Sequence, residues 1–246
     1  MEHYYTQLEN ISGSTLTISG DEAKHLAKVL RKKSGEEILV TDGEGNLYDC
    51  KITKINSELI ECEILGKSFG LNEPPVHVTL YQSMLKNPAR FEFVIEKSVE
   101  LGVNAIQPVI TEHVINKSAN RTDRWQAISL AAMKQSQRVI LPEVFHPVNF
   151  ADAIKSCKSD IKLIADEKDI RQTAKDDESL SGIRQTALSG QTVKSVAIFI
   201  GPEGGFADDE VNLAIDNGFQ ILSLGKRKFR SETAAIVSLA IIFNTI

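Results

Sequence analysis

Ser195 to Glu210 reads SVAIFIGPEGGFADDE, and this stretch decides the fold. Val196 to Ile200 is a continuous apolar run rich in β-branched residues, the signature of a strand buried on both faces. It stops at Gly201-Pro202-Glu203-Gly204-Gly205, where glycine frees the backbone and lets a ligand approach the main chain closely. Asp208, Asp209 and Glu210 then open a helix, since acidic side chains favour the positive end of its dipole. In an open α/β sheet, a strand running through a loop into a helix is where ligands sit. The loop is neither G-x-G-x-x-G nor a Walker lysine loop. One unit later, Leu224 to Thr233 repeats the pattern and is strongly basic.

Outward from this stretch, strands and helices alternate, which implies a mostly parallel sheet. Strands are expected at His77–Gln82, Ala105–Ile110, Glu143–Phe145, Ile161–Ala165 and Phe219–Leu224. The helices expected between them are Arg90–Leu101, stopped by Gly102, then Arg121–Arg138, Phe150–Cys157 and Asp208–Asn217, closed by Gly218. Trp125 reads as core. Lys168 to Lys194 is polar and reads as a long excursion. The last helix, Ser231 to Asn244, is apolar on nearly every side and must be buried, with a subunit interface as a candidate.

Leu71-Asn72-Glu73-Pro74-Pro75 is a stiff linker. It separates a domain of residues 1–70 from one of residues 74–246. The first carries strands at Leu16–Ile18, Glu37–Thr41, Leu47–Ile55 and Ile60–Leu65, with one helix, Asp21–Arg31, capped by Asp21. Ala23, Leu26, Ala27 and Leu30 make the helix's apolar face; Lys24, His25, Lys28 and Arg31 lie opposite. Short strands with one helix suggest a small barrel. Its basic helix is either a solvated surface or an RNA-docking face.

The net charge of −5 argues against general affinity for nucleic acid. Basic residues nevertheless cluster in Glu22–Lys33 and Lys226–Glu232. Cys50, Cys62 and Cys157 are isolated and read as buried, reduced thiols; neither they nor the histidines have metal-ligand spacing. No run approaches the roughly 18 apolar residues that span a membrane. The first residues, MEHYYTQLEN, lack the regions of a signal peptide, so the chain reads as cytoplasmic.

Three segments are distinctive together: IGPEGGFADDE (200–210), LSLGKRKFRSETA (222–234) and RWQAISLAAMKQSQR (124–138). With Glu96-Lys97, Glu100-Leu101-Gly102 and HLAKVLR (25–31), the chain resembles the RsmE family of ribosomal RNA uridine N3 methyltransferases, in the SPOUT superfamily. The resemblance implies a trefoil-knotted α/β domain with a mostly parallel sheet, preceded by a PUA-like β-barrel, in a homodimer. It implies S-adenosylmethionine bound between Gly201, Pro202, Glu203, Gly204 and Gly205 on one wall and Leu222, Leu224, Gly225, Phe229 and Arg230 on the other, with Thr233 at the following helix start. The implied product is N3-methyluridine in small-subunit (16S) ribosomal RNA, and the implied partner is that RNA or the assembled small subunit.

This sequence departs from the family at Ala207, where a small hydroxyl residue is usual and Asp208 is then expected to cap. Lys226-Arg227-Lys228 replaces a proline-containing turn, and Glu112-His113-Val114 stands in place of an arginine–serine pair. The chemistry requires alignment of N3 with the methyl group and either removal of the N3 proton or stabilisation of charge on the neighbouring carbonyl oxygens. Arg230 is the first catalytic candidate, holding a phosphate or the uracil oxygens, with a structural ion pair as the alternative. Glu232 and Glu203 are candidate bases; a helix-dipole contact is the other reading of Glu232. Lys24, Lys28, Arg31, Lys32, Arg124 and Arg138 are the expected RNA contacts. Two rival readings are a SPOUT ribose 2′-O-methyltransferase and a non-catalytic RNA-binding assembly factor.

Overall fold

The computed structural model describes residues 3–114, 121–166 and 193–245, so nearly all of the polar excursion expected from Lys168 lies outside the described residues. The chain divides into two compact units. The smaller comprises Met1–Glu73 with Leu130–Leu141, and the larger Pro74–Ser129 with Pro142–Ile246.

Six strands build the smaller unit: β1 (His3–Tyr5), β2 (Ile11–Ser12), β3 (Thr15–Ser19), β4 (Glu37–Thr41), β5 (Asn46–Ile55) and β6 (Leu59–Phe69). They form one sheet in the order β1-β4-β5-β6-β3-β2. Along β5, Tyr48, Cys50 and Ile52 point inward and Asp49, Lys51 and Thr53 outward, the period-two alternation of a sheet with one solvated face. The sheet curls far enough for Thr6, just after β1, to donate its hydroxyl to the Thr17 carbonyl of β3 at 2.5 Å. Burial pushes the Cys50 thiol up to about 12 and the Cys62 thiol to about 11.

The helix of this unit is shorter than its sequence suggests. It runs as α1 (Gly20–Lys24) and continues in a wider turn over His25–Val29. Asp21 does not cap it but lies in its first turn, paired with Lys24 at 2.8 Å. Ala23 and Leu26 alone of the expected apolar face are buried, while Leu30 is exposed. Arg31 adopts a left-handed conformation, φ 53°, and lies beyond the helix.

The larger unit is built on β7 (His77–Ser83), β8 (Ala105–Ile110), β9 (Glu143–Val144), β10 (Val148–Asn149), β11 (Ile161–Ala165), β12 (Ser195–Ile200) and β13 (Gln220–Leu222). The order is β10-β8-β7-β12-β11-β13, with β9 also beside β8, and every pairing is parallel. β12 runs through the middle and is buried from Val196 to Ile200, as its sequence requires. Phe199 on it stacks on Tyr81 at 4.0 Å and meets the edges of Phe150 and Phe219.

The helices are α2 (Pro88–Leu101), α3 (Thr122–Gln135), α4 (Phe150–Ser156), α5 (Asp208–Asp216) and α6 (Ser231–Thr245). Asn87 caps α2 by accepting from Ala89 N–H, with Pro88 at the first helical position, and Gly102 ends it at φ 114°. Trp125 is core and packs on Phe91 at 4.8 Å.

Helix α3 stops before Arg138. Gln137 takes φ 59°, and Arg138 N–H closes back on Met133 carbonyl, a left-handed C-terminal cap. The segment Leu130–Leu141 belongs to the smaller unit rather than to the second domain. There Arg138 pairs with Glu73 at 2.6 Å, with 3% and 5% of the two side chains exposed. The other Glu73 oxygen accepts from Val139 and Ile140 N–H. A buried guanidinium committed to a carboxylate has no face for a phosphate, so Arg138 is structural and not an RNA contact.

Breaking a buried pair strands a charge and costs about 3–5 kcal/mol. Glu73→Ala is therefore expected to lower the unfolding free energy by about 3 kcal/mol or more in urea titration; a variant as stable as the parent would remove this pair from the support of the fold.

Candidate functional site

The carboxyl ends of β11, β12 and β13 open on a cavity of about 860 Å³. This is the edge at which parallel α/β sheets hold ligands. Gly201 to Gly205 line it from the loop after β12, and Leu224, Gly225, Phe229 and Arg230 from the loop after β13. Because β11 lies between β12 and β13, its end residues Ala165 and Asp166 also line the cavity. Leu222 is fully buried in β13 beneath the second loop, and Thr233 lies on α6 outside the lining.

The first loop is held from several sides. Gly205 N–H bonds to the Pro202 carbonyl, and Gly205 takes φ +73°. A Cβ at Gly201 would stand 3.3 Å from the Gly205 main chain and the Phe206 ring, a tight approach that glycine avoids. Phe206 is buried against Phe150 at 5.3 Å, anchoring the loop in the aromatic core.

Glu203 accepts from Lys86 N–H at 3.1 Å, tying the loop to the connection between β7 and α2. Ser231, at the start of α6, accepts from Gln82 Nε2 at 2.9 Å and donates to the Gly201 carbonyl at 2.5 Å. One hydroxyl thus joins the end of β7, the loop after β12 and the start of α6.

The residues after β8 complete this support. His113 Nδ1 lies 3.0 Å from the Gly205 carbonyl, and since a carbonyl only accepts, Nδ1 carries the proton. Glu210 accepts from Glu112 N–H at 2.9 Å and from Ala207 N–H at 3.0 Å. Ala207 has no side-chain acceptor and Asp208 does not cap; Glu210, one turn in, satisfies the helix start by reaching back to Ala207 N–H.

The cavity is ringed by charge: Arg90, Arg227, Lys228 and Arg230 against Asp166, Glu203 and Asp208. Arg230 is exposed and makes no ion pair among the described residues. Glu232 sits behind the lining with 12% of its side chain exposed, 3.6 Å from Arg90 Nε. Its Oε2 is buried without a hydrogen-bond partner among the described residues.

The expected RNA contacts scatter. Lys24, Lys28 and Arg31 are exposed on the smaller unit, whereas Lys32 is paired with Glu36 at 2.9 Å. Arg124 forks onto Glu92 at 2.6 and 2.8 Å, and this hydrogen bonding holds the Glu92 carboxyl below the usual carboxylate range. Among the described residues, no group of three or more His, Cys, Asp or Glu side chains could hold a metal ion.

Arg90, Asp166, Phe206 and Ser231 line the cavity but carry no signal as ligand residues in the motifs. Asp166 could have been found from its place at the end of a parallel strand. Arg90 could not, because its approach to the site depends on strand order.

A family model described as RNA methyltransferase domain matches residues 72–243, and one described as RNA methyltransferase PUA domain matches residues 18–65. The chain is 34% identical over 234 residues to the ribosomal RNA small subunit methyltransferase E of Synechocystis, covering 94% of this chain and 74% of that one. It is 30% identical to that of Aquifex aeolicus, covering 96% and 97%. Its fold matches the crystal structure of a ribosomal RNA small subunit methyltransferase E from Neisseria gonorrhoeae bound to S-adenosyl methionine, with TM-score 0.83, 32% identity and 99% and 97% coverage of the two chains. A Legionella pneumophila structure in complex with the same cofactor matches with TM-score 0.80 and 30% identity, covering 98% and 96%.

Ser231→Ala removes the acceptor of Gln82 and the donor to Gly201, leaving buried groups unsatisfied at a cost of about 1–3 kcal/mol. The expected result is a lower thermal midpoint together with faster proteolysis in the loop after β12; an unchanged midpoint would show that these two bonds do not hold the loop.

Proposed function

The chain belongs to the RNA methyltransferase family, among the ribosomal RNA small subunit methyltransferases E, and from that premise we propose that it methylates N3 of one uridine in small-subunit ribosomal RNA with S-adenosylmethionine as donor. The observation that carries the reading is the cavity formed jointly by the Gly201 and Gly225 loops at the carboxyl end of the sheet.

The residues present fit the cofactor. A Cβ at Gly205 or at Gly225 would meet nothing within 4 Å, so each glycine leaves open space beside a loop that lines the cavity. Backbone groups of Gly201 to Gly205 and of Leu224 and Gly225 are the proposed hydrogen-bonding walls, with Pro202, Leu222, Leu224 and Phe229 as the apolar sandwich and Thr233 at the helix start. S-adenosylmethionine supplies a methyl group on a sulfonium centre, which becomes a neutral thioether once the N3 electron pair has taken the methyl carbon and the N3 proton has passed to solvent.

The chain's own residues orient the substrate and exclude water. Arg230, at the loop-to-helix junction and without an ion pair among the described residues, holds a phosphate or the uracil oxygens. Glu203 is occupied by Lys86 N–H and serves as a loop clamp in place of a base. Glu232 takes its catalytic part through the arginine beside it. Lys24, Lys28, Arg31, Lys32 and Arg124 are proposed to meet RNA phosphates.

A trefoil knot, in which the chain from β13 into α6 passes through the preceding turn, is the proposed reason that both loops share one cavity. The half-buried apolar side chains Ile236, Val237, Ala240, Ile241 and Phe243 of α6 are the proposed contact with a second copy, closed on a helix apolar nearly all round. No described helix is long and apolar enough to cross a membrane, and a ribosomal substrate puts the proposed work in the cytoplasm.

Calorimetric titration with S-adenosylmethionine is expected to show one site per chain. Gly204→Trp should abolish it, because the Gly204 side already faces His113 at 3.1 Å and the indole must turn into the cavity or displace the loop. Nucleoside analysis of treated small subunits should then place the methyl on the base. A methyl on the ribose would favour 2′-O transfer, and no donor binding by the folded wild type would favour an RNA-binding assembly factor.

A further inference from the structure

Arg90 stands out among the groups around the cavity. It lines the cavity from the first turn of α2, its side chain is 37% exposed, and it makes no side-chain hydrogen bond among the described residues. A guanidinium carries five N–H donors, and none of Arg90's is taken up in a hydrogen bond among the described residues. Its position is nevertheless set, because Glu232 stands behind it at 3.6 Å. That separation is an ion pair and not a hydrogen bond.

Glu232 explains why the arginine stays. Its side chain is 12% exposed, and Oε2 is buried with no hydrogen-bond partner among the described residues. A buried carboxylate in that state is costly unless a cation balances it. Arg90 is the balancing cation, drawn toward α6 from the rear while its front faces the cavity. Glu232 Oε2 is sealed from solvent and Oε1 is turned to Arg90 Nε, so the part this geometry supports for Glu232 is to hold Arg90.

Resting on the uridine N3 reading of this site, we propose that Arg90 is a second catalytic cation, whose free N–H donors hold the uracil carbonyl oxygen that gains charge as N3 is deprotonated, and that Glu232 is its positioning residue. The N3 proton leaves to solvent, the resulting negative charge spreads onto the neighbouring carbonyl oxygens, and the N3 electron pair forms the bond to the methyl carbon. A cation on the carbonyl oxygen lowers the energy of the deprotonated base without a dedicated general base. The charged groups facing Arg90 across the cavity are Asp166, Glu203 and Asp208 among the acids and Arg227, Lys228 and Arg230 among the bases. Glu203 is engaged with Lys86 N–H.

The test compares wild type, Arg90→Ala, Arg90→Lys and Glu232→Gln in single-turnover methyl transfer from labelled S-adenosylmethionine to unmethylated small ribosomal subunits. Donor affinity is measured separately by calorimetry. Arg90→Ala is expected to slow transfer at saturation by about 100-fold, the loss typical of one oxyanion-holding donor. Donor affinity should stay within about twofold, as for an interaction made only in the transition state. Arg90→Lys keeps the charge and should recover part of the rate, and Glu232→Gln should slow transfer with the same unchanged donor affinity.

The pH profile gives a readout that loss of packing would not move. Without Arg90 the rate should level off at a higher pH than in wild type, because the cation no longer eases loss of the N3 proton. Wild-type transfer by Arg90→Ala, or a loss accounted for wholly by weaker donor binding, would overturn the role of Arg90. A wild type that binds the donor but methylates no subunit would instead bring down the uridine reading, and the role of Arg90 with it.

Discussion

The Ser231 hydroxyl is the bond on which the site depends. It accepts from Gln82 at the end of β7 and donates to Gly201 after β12, while its backbone starts α6. Both partners are remote in sequence, so the pair of hydrogen bonds is complete only when β7, β12 and α6 are together. A buried hydroxyl with donor and acceptor both engaged tolerates little displacement, because either shift leaves a polar group stranded. The first loop is therefore fixed where it leaves the sheet, and the second loop is fixed where it enters α6. The cavity between them inherits its width from one serine.

Around that bond the acids and the bases have different work. Glu203 and Glu210 accept from backbone N–H groups of Lys86, Glu112 and Ala207. Each ties a segment distant in sequence to the loop or helix start after β12. Glu232 is buried behind Arg90. The arginines face the cavity, and among the described residues Arg230 makes no ion pair and the Arg90 side chain no hydrogen bond. Glu203 and Glu210 thus hold the frame, while Arg90 and Arg230 present cations to the ligand space. For a reaction that generates negative charge on a base, that is the electrostatically favourable arrangement.

Much of this was legible in the sequence, and the exceptions have physical causes. The strands Glu37–Thr41, Ala105–Ile110 and Ile161–Ala165 were placed to the residue, because their apolar patterns are bounded by turn residues. The parallel sheet followed from alternation. β1, β2 and β10 have three residues or fewer and were missed, since so short a segment has no period to read. The helix ends at Arg31 and Arg138 were overrun because each contains a non-glycine residue with positive φ, Arg31 or Gln137, which sequence does not advertise. The two loops were legible by motif. Arg90 and the burial of Arg138 were not, since both depend on long-range neighbours that only the fold assembles. Glu210 in place of Asp208 at the start of α5 was missed for a simpler reason: the acid that reaches back sits at the third helical position rather than at the cap.

The assignment of Leu130–Leu141 to the smaller unit, with larger-unit chain on both sides of it, makes both units discontinuous. A protein cut once in the proline linker would not yield two modules. The amino-terminal piece would lose Val139, whose carbonyl serves Thr41 and Gly45, and the cation that neutralises Glu73. The other piece would carry Met133 and Val139, fully buried in the intact chain, with their partners gone. Exchange of the amino-terminal sheet between relatives by a single crossover is therefore penalised. Lineages that alter it must do so by point substitution within one chain, or by a double exchange that carries residues 130–141 along.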